Sequence, residues 1–113
     1  MLELRFKIWL EKDGKAFGLG PYELLRRVRE MGSLSEAAKS MKMSYNKAHN
    51  LMKSIEKQLG IKLLVTRAGG SKGGGSELTE EAENLMEAYK EFLDECTEAL
   101  NNIFQKHSQN MKF

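Results

Sequence analysis

The chain has few of the residues that build covalent frameworks, metal sites or catalytic centres. Its 113 residues include one cysteine (Cys96), one proline and two histidines. A single cysteine excludes an internal disulfide framework and a cysteine-rich zinc site, and it favours a reducing cytoplasm. His49 and His107 lie far apart in sequence, and neither belongs to a recognisable catalytic pattern. We therefore expect neither an enzyme nor a bound metal or cofactor.

Long hydrophobic runs are also missing. No apolar stretch approaches the ~18 residues of a membrane-spanning helix. The start of the chain, MLELRFKIWL, alternates apolar and polar residues instead of forming a signal-peptide core. Hydrophobic residues make up 41% of the chain and charged residues 30%, which is typical of a folded globular protein. The length predicts one domain that is large enough to build its own core.

The net charge of +2 conceals an uneven distribution along the chain. Residues 1–79 contain 15 Lys/Arg and 8 Asp/Glu, a balance of +7. Residues 80–113 contain 3 and 8, a balance of −5. This division predicts that the front of the chain contacts a polyanion and that its tail has another role.

The stretch from Gly32 to Gly60 has the pattern of two short helices joined by a tight turn. Ser33 with Glu36 three residues later is the signature of a capping box for the first helix. Ser44 is a typical N-cap for the second helix. Apolar residues then recur at helical spacing, which predicts the buried side of the second helix. They are Ala48, Leu51, Met52, Ile55 and Leu59.

The opposite side of the second helix carries amides, an imidazole and lysines, a set that suits DNA. Amides can pair with adenine edges in the major groove, and lysines reach guanine or phosphate. The residues on this side are Asn46, His49, Asn50, Lys53 and Lys57, with Glu56 at the margin. Composition alone leaves open a helical hairpin whose polar face meets only solvent.

The segment before the helix pair predicts a β-hairpin and a helix. Residues 2–10 alternate at period two, which predicts a strand with one buried face. Residues 12–15, KDGK, predict a turn, and residues 16–17 begin a return strand. A helix is expected to start at Pro21 and to end at Gly32. Its arginines, Arg26, Arg27 and Arg29, are either solvated or in contact with phosphates.

A glycine-rich loop follows the helix pair. Residues 62–67 predict a strand, residues 68–76 (AGGSKGGGS) a hairpin tip, and residues 77–79 the returning strand. A Walker loop needs glycine directly before its lysine and a helix after it, whereas Ser71 precedes Lys72 here. A tip poor in side chains beside Arg67 and Lys72 suits a minor groove or a sugar–phosphate backbone. A tip without any partner is the alternative.

The last third of the chain predicts one long helix with an apolar seam. Thr79 is the expected N-cap, and a helix from Glu80 to Lys106 would run about 40 Å. The seam follows heptad spacing and contains Ala82, Leu85, Met86, Tyr89, Phe92, Leu93, Cys96, Leu100 and Ile103. No other segment is long enough to cover it, so we expect a second copy of the helix to form a dimer there. A helix folded back on its own domain is the alternative, and residues 107–113 are expected to fray.

Helix, turn, helix and hairpin in this order predict a winged helix-turn-helix, a mainly α fold with a small β component. The stretch GSLSEAAKSMKMSYNKAHNLMKSIEKQLG, followed by LLVTR and LT, resembles the DNA-binding domain of LysR-type regulators. The long wing TRAGGSKGGGSELT, with AAKSMKMSYNKAHNLM and the leading hairpin, resembles more closely the N-terminal domain of the ModE family of molybdate-responsive transcriptional regulators. The resemblance covers roughly residues 4–100.

This resemblance implies a DNA-binding surface. The helix from Ser44 would enter the major groove, and Arg67 with the loop through Lys72 would form the wing contact. The expected DNA-binding residues are Ser33, Ser44, Tyr45, Asn46, Lys47, His49, Asn50, Lys53, Arg67, Gly69, Gly70, Ser71 and Lys72. Residues 1–79 would form the DNA-binding domain, and residues 80–106 its dimerisation helix.

The sequence therefore predicts a homodimeric regulator of transcription that binds specific double-stranded DNA, with a link to molybdenum genes. A protein-interaction module and a nucleoid-type protein without sequence preference are the alternatives. ModE proteins carry an oxyanion-binding module after the long helix. The ten residues after Ile103 are too few to line a cavity for a dianion. We expect the 113-residue chain to act constitutively or through a separate effector protein.

Overall fold

A computed structural model describes residues 2–67 and 75–112. The described residues form β1 (Leu10–Glu11), β2 (Lys15–Phe17), α1 (Leu19–Met31), α2 (Leu34–Ser40), α3 (Tyr45–Leu59), β3 (Leu64–Thr66), β4 (Ser76–Leu78) and α4 (Glu80–Ser108). β1 pairs with β2 and β3 with β4, both antiparallel. The mainly α fold with two small hairpins is thus confirmed. None of the described helices is long and apolar enough to span a membrane.

One hydrophobic core joins α1, α2 and α3 to the first part of α4. Alanines lie fully buried where α2 meets α3, and their small side chains let the two helices approach closely. The Tyr89 ring of α4 packs edge-on against Phe17, with the ring centroids 5.2 Å apart. The most deeply buried residues of the core are Phe17, Leu24, Leu25, Val28, Ala37, Ala38, Ala48, Ile55, Leu63 and Ala82.

The structure confirms the N-caps predicted for α2, α3 and α4. The hydroxyls of Ser33, Ser44 and Thr79 each accept a hydrogen bond from the amide three residues later, at 3.0–3.1 Å. α1 ends at Gly32 with a φ of 75°, the left-handed conformation that suits glycine. α1 begins at Leu19, two residues before Pro21. Pro21 still lies in the first turn, where backbone N–H groups have no partner within the helix.

The N-terminal strand is shorter than the sequence predicted. The described strand β1 contains only Leu10 and Glu11, and residues 2–9 are not part of a sheet. Their burial still alternates, since Leu4, Phe6 and Ile8 are half-buried while their neighbours are exposed. Period two records this alternation of side chains, but a strand also needs a partner for its backbone. The pairing with β2 ends at Leu10.

Two further boundaries differ slightly from the prediction. The hairpin strands β3 and β4 are each three residues long, with Leu64 opposite Leu78 and Thr66 opposite Ser76. α4 continues to Ser108, two residues beyond the predicted end. Its buried residues all precede Lys90, so the second half of the helix projects from the core. The described residues therefore measure 62 Å along their longest axis.

Candidate nucleic-acid interface

α3 presents its polar side to solvent, as the sequence predicted. Ala48, Met52 and Ile55 are buried. The exposed residues of the helix include Tyr45, Asn46, Lys47, Asn50, Lys53 and Lys57, and His49 is half-buried. The periodic pattern thus separates the side of α3 that packs from the side that is open to a ligand.

An aromatic pair lies at the start of this exposed side. The rings of Tyr45 and His49, one turn apart, stack with their centroids 5.7 Å apart and an interplanar angle of 24°. Half of the surface of Tyr45 is exposed. Aromatic and amide groups are thus adjacent at the N-terminal end of α3, the part of a recognition helix that reaches base edges.

The turn between α2 and α3 fixes the angle of the two helices. Lys42 has a φ of 56°, which is uncommon for a residue with a side chain. The amide of Met43 donates to the carbonyl of Ala38 at 2.9 Å and closes the turn. Ser33, at the other end of α2, is half-buried and its hydroxyl already caps the helix. Ser33 is therefore less accessible than the exposed residues of α3 that are predicted to bind DNA.

The base of the wing is held against the end of α1. The amide of Ser76 donates to the carbonyl of Gly32 at 2.9 Å, and the amide of Arg67 donates to the carbonyl of Gly75 at 2.8 Å. The Arg67 guanidinium reaches the same Gly32 carbonyl at 3.5 Å and the Glu77 carboxylate at 3.3 Å. Arg67 therefore has an anchoring role that the sequence did not predict, although half of its side chain remains exposed.

The predicted wing contacts Gly69, Gly70, Ser71 and Lys72 lie outside the described residues. Gly75, at the edge of this segment, lies very close to α1. A Cβ atom added there would be 2.6 Å from the Gly32 carbonyl oxygen. Glycine is thus the residue that allows this approach.

The other end of α3 is anchored by a residue that sequence reasoning missed. The Gln58 side chain donates to the carbonyl of Lys15 at 2.9 Å and accepts from the amide of Asp13 at 3.3 Å. Lys12 donates to the Gln58 carbonyl at 3.0 Å, where a cation is favourable at a helix C-terminus. The β1–β2 turn therefore holds the end of α3. No local signal reveals this role, because the partners are more than 40 positions away.

Glu56 turns inward from the margin of the polar side. Its carboxylate accepts a hydrogen bond from the amide of Leu63 at 2.7 Å, and its side chain is only 10% exposed. Burial alone would raise the pKa of Glu56, but the Leu63 amide and the nearby Lys53 ammonium outweigh it and lower the pKa. Glu56 thus ties α3 to the segment that leads into the wing.

The arginines of α1 pair with carboxylates of the protein. Arg26 and Arg27 both contact Glu23, and the Arg26 hydrogen bond is the main reason that the pKa of Glu23 falls to about 2. Arg29 pairs with Glu83 at the start of α4 at 2.7 Å. The ion pairs of Arg26 lie within α1, whereas Arg27 also donates to Ser40 of α2 and Arg29 joins α1 to α4. These arginines are therefore not freely solvated, and phosphate contact by them stays a prediction.

The predicted dimer seam needs a correction at its beginning. Ala82, Met86 and Tyr89 are at most 2% exposed, because they pack into the core of their own domain. They have no surface to offer a second copy. The first half of α4 therefore packs against its own domain, which was the alternative to a dimer seam along the whole helix. Leu85, within the same stretch, is half-buried and packs against this core. Further along, Phe92 is 46% and Ile103 55% exposed, and Leu93, Cys96 and Leu100 are half-buried.

These features define the class of protein. α2, the turn at Lys42 and α3 form a helix-turn-helix, and the β3–β4 hairpin held against α1 is its wing. The bacterial regulatory helix-turn-helix proteins of the lysR family match residues 20–83, and the chain belongs to this family. The match extends from α1 through the wing to the first turn of α4.

Curated relatives include a transcriptional regulator and a molybdenum-pterin-binding protein. The transcriptional regulator ModE of Haemophilus influenzae is 35% identical over 85 residues, which are 75% of this chain and 33% of that protein. The molybdenum-pterin-binding protein MopB of Rhodobacter capsulatus is 32% identical over 80 residues, 71% of this chain and 30% of that protein. The chain thus spans about a third of the length of these relatives. The resemblance to LysR-type and ModE regulators that the sequence indicated is confirmed.

Solved structures agree on the fold. The CbnR DBD–DNA complex has a TM-score of 0.58 at 22% identity, covering 77% of this chain and 94% of that chain. The BenM DBD–benA site 1 DNA complex has the same TM-score at 18% identity, covering 81% and 98%. Their arrangement of helices and wing is therefore that of the chain described here.

Proposed function

We propose that this chain is a homodimeric transcriptional regulator that binds specific double-stranded DNA. The observation that carries the proposal is the exposed polar side of α3, which holds Asn46, Asn50 and Lys53 on a helix that is capped at Ser44 and anchored to the β1–β2 turn at Gln58. Amides in the major groove can discriminate adenine by about 1–3 kcal/mol per bidentate pair. The contacts of Gln58 with the β1–β2 turn help to set the angle at which those amides meet the bases.

Electrostatics supports the same partner. The positive balance of residues 1–79 gives the domain an attraction to phosphates, while the acidic residues concentrate in α4. Arg26, Arg27 and Arg29 are already paired with carboxylates, and Lys53 lies 3.4 Å from the Glu56 carboxylate. The other lysines of α3, Lys47 and Lys57, therefore supply more of this attraction. In this arrangement Lys53 and Lys57 contact phosphates or guanine.

The second half of α4 supplies the dimer contact of this proposal. Phe92 and Ile103 are large apolar residues that remain about half exposed on a single chain. Burying such residues against a second copy is favourable by roughly 25 cal/mol per Å² of apolar surface. A two-fold dimer would place the two α3 helices in successive major grooves, about one DNA turn apart.

The names of the relatives support a link to molybdenum genes. ModE is a transcriptional regulator in Haemophilus influenzae, and a molybdenum transport protein of the same name in Azotobacter vinelandii is 30% identical over 105 residues. We infer that this chain regulates genes of molybdenum transport or metabolism. The link to molybdenum genes is tested separately, by measuring whether the chain binds DNA upstream of such genes in its own genome.

Selection of bound duplexes from a random pool tests the DNA-binding proposal. The purified 113-residue protein should enrich a palindromic sequence whose half-sites are about ten base pairs apart. A single enriched half-site would overturn the two-fold dimer. A pool that stays random despite binding would indicate a nucleoid-type protein, and a pool that is not retained would indicate a protein-interaction module.

A further inference from the structure

The N-terminal segment, residues 2–9, runs alongside the part of α4 that projects from the core. At one end the carbonyl of Ile8 accepts a hydrogen bond from the Tyr89 hydroxyl at 2.7 Å. At the other end Leu2 lines a groove with Phe104, Gln105 and Ser108. Residues 89–104 of a helix span about 22 Å, and six residues cover that distance only when nearly fully extended. The segment is therefore a strand in shape, although it is not paired.

The backbone of this segment is available for pairing. Within the parts of the chain that the structure describes, the one backbone group of this segment that bonds to another element outside the β1–β2 ladder is the Ile8 carbonyl, which accepts from Tyr89. The Trp9 side chain also donates to the Glu11 carboxylate at 2.7 Å. In a strand, the N–H and C=O of one residue point to the same edge, and successive residues alternate between the edges. The backbone N–H and C=O groups of Ile8 therefore point to the same edge as those of Leu4 and Phe6. The edge formed by Glu3, Arg5 and Lys7 is thus open, and an open strand edge is a template for another chain.

The side chains favour a second copy as the occupant. Two such segments related by a two-fold axis pair antiparallel, and the contact is self-complementary. In a register centred on Leu4, Glu3 lies opposite Arg5 of the second copy. In a register centred on Arg5, Glu3 lies opposite Lys7 of the second copy. Both registers place opposite charges across the pair twice, which stabilises cross-strand neighbours. The register centred on Leu4 is favoured, because the register centred on Arg5 also places the two Arg5 side chains opposite each other.

The same pairing helps two α4 helices to approach. α4 carries eight carboxylates and two lysines, a balance of −6, so two such helices repel each other. Residues 2–9 carry a balance of +1 and lie along the helix. Antiparallel pairing keeps the half-buried Leu4, Phe6 and Ile8 of both copies on one face. Together they form an apolar floor, and Phe92 and Ile103 of α4 are also apolar and about half exposed.

We propose that residues 2–9 of two copies pair as antiparallel strands through the edge of Glu3, Arg5 and Lys7, and that this two-stranded sheet is part of the dimer interface. The inference rests on the homodimer of the proposed function and specifies how that dimer is built. It assigns a docking role to a segment that precedes the helix-turn-helix and lies away from the DNA-binding side of α3.

A proline substitution tests the pairing. Arg5→Pro removes one backbone N–H per copy from the open edge, whereas the matched control Arg5→Ala removes the same charged side chain and keeps the N–H. The Arg5 side chain is 86% exposed, so neither change disturbs the core. Sedimentation equilibrium of the full chain should show a dimer Kd raised about tenfold or more for Arg5→Pro. Arg5→Ala should stay within about threefold of the native protein, since exposed charge pairs contribute little.

Disulfide trapping provides a second readout that does not depend on the proline variant. In a Cys96→Ser background, Leu4→Cys or Arg5→Cys places two sulfurs near the two-fold axis, within the Cα separation of about 4.4–6.8 Å that a disulfide needs. One of these two positions should give a covalent dimer under mild oxidation. Glu11→Cys, in the β1–β2 hairpin and remote from that axis, should remain monomeric on a denaturing gel.

The outcomes separate this inference from the proposed function. A native dimer that Arg5→Pro weakens no more than Arg5→Ala, with no trapping at position 4 or 5, would overturn the strand pairing and leave the helix-mediated dimer intact. A native protein that sediments as a monomer at micromolar concentration would overturn both. Trapping at position 4 or 5 together with a selective effect of proline would establish the pairing.

Discussion

Substituting Gly75 tests how tightly the wing is held against α1. The Cβ of an alanine at this position would be 2.6 Å from the carbonyl oxygen of Gly32 and 3.1 Å from the Arg67 guanidinium. The guanidinium can move, but the carbonyl belongs to the backbone and also accepts the Ser76 amide at 2.9 Å. The alanine can therefore fit only if the wing base separates from α1.

The expected cost follows from these contacts. Overpacking at a rigid site costs about 1–3 kcal/mol, and a lost backbone hydrogen bond costs about 1 kcal/mol. We expect Gly75→Ala to lower the free energy of unfolding by about 2 kcal/mol. For a domain of this size that corresponds to a Tm lower by roughly 8 °C. Because the displaced hairpin is the predicted wing, affinity for the selected operator should fall as well.

Gly20→Ala is the matched control. Apart from its two neighbours in sequence and the backbone of its own helix, no heavy atom lies within 4 Å of its added Cβ, and Gly20 belongs to the first turn of α1. Alanine is the better helix former, but the Pro21 ring disfavours a helical residue with a Cβ before it, so the two effects oppose each other. We expect stability to change by less than about 1 kcal/mol. Urea unfolding followed by circular dichroism, with an operator titration of each variant, makes the comparison. Equal stability and equal operator affinity for Gly75→Ala and the native protein would refute the tight contact between wing and α1.

Four further substitutions probe other parts of the structure. Asn46→Ala or Asn50→Ala should reduce the preference for operator over random duplex by about 1–3 kcal/mol per lost amide pair; equal losses on both duplexes in a gel shift would place the reading face elsewhere. Glu23→Gln should destabilise the fold at pH 7 by roughly 1 kcal/mol, allowing for partial exposure. Since the folded pKa of Glu23 is depressed to about 2 from 4.5, this difference should be present above pH 4.5 and shrink as the pH falls towards 2 in urea unfolding; a difference that does not change with pH would contradict it. Phe92→Asp alters a residue that is exposed on one chain, so the variant should sediment as a folded monomer, and a dimer of undiminished affinity would count against the seam.

The sequence predicted most of the local structure because the signals are local. Ser33, Ser44 and Thr79 were recognised as N-caps, and each makes the expected hydrogen bond. The apolar period of α3 separated its buried side from its exposed side correctly. Such features depend on residues three or four positions apart, which are neighbours on a helix.

Features that depend on distant partners could not be predicted in this way. Nothing near Gln58 indicates that it holds the β1–β2 turn, and nothing near Glu56 indicates that it accepts the amide of Leu63. The sequence predicted that a second copy of α4 covers its apolar seam, but Tyr89 packs against Phe17 of its own domain. Heptad spacing shows that a helix face is buried, and it does not show by which chain.

The most direct test of the central claim is a titration of the native chain with its selected operator and with a scrambled duplex of the same length and composition, each at two or more salt concentrations. The account predicts operator binding at least about 10³-fold tighter than binding to the scrambled duplex. It also predicts that log K falls with log salt with a slope of magnitude above about three, since each neutralised phosphate contributes about −0.9. Equal affinity for the two duplexes, or an affinity that does not change with salt, would contradict it.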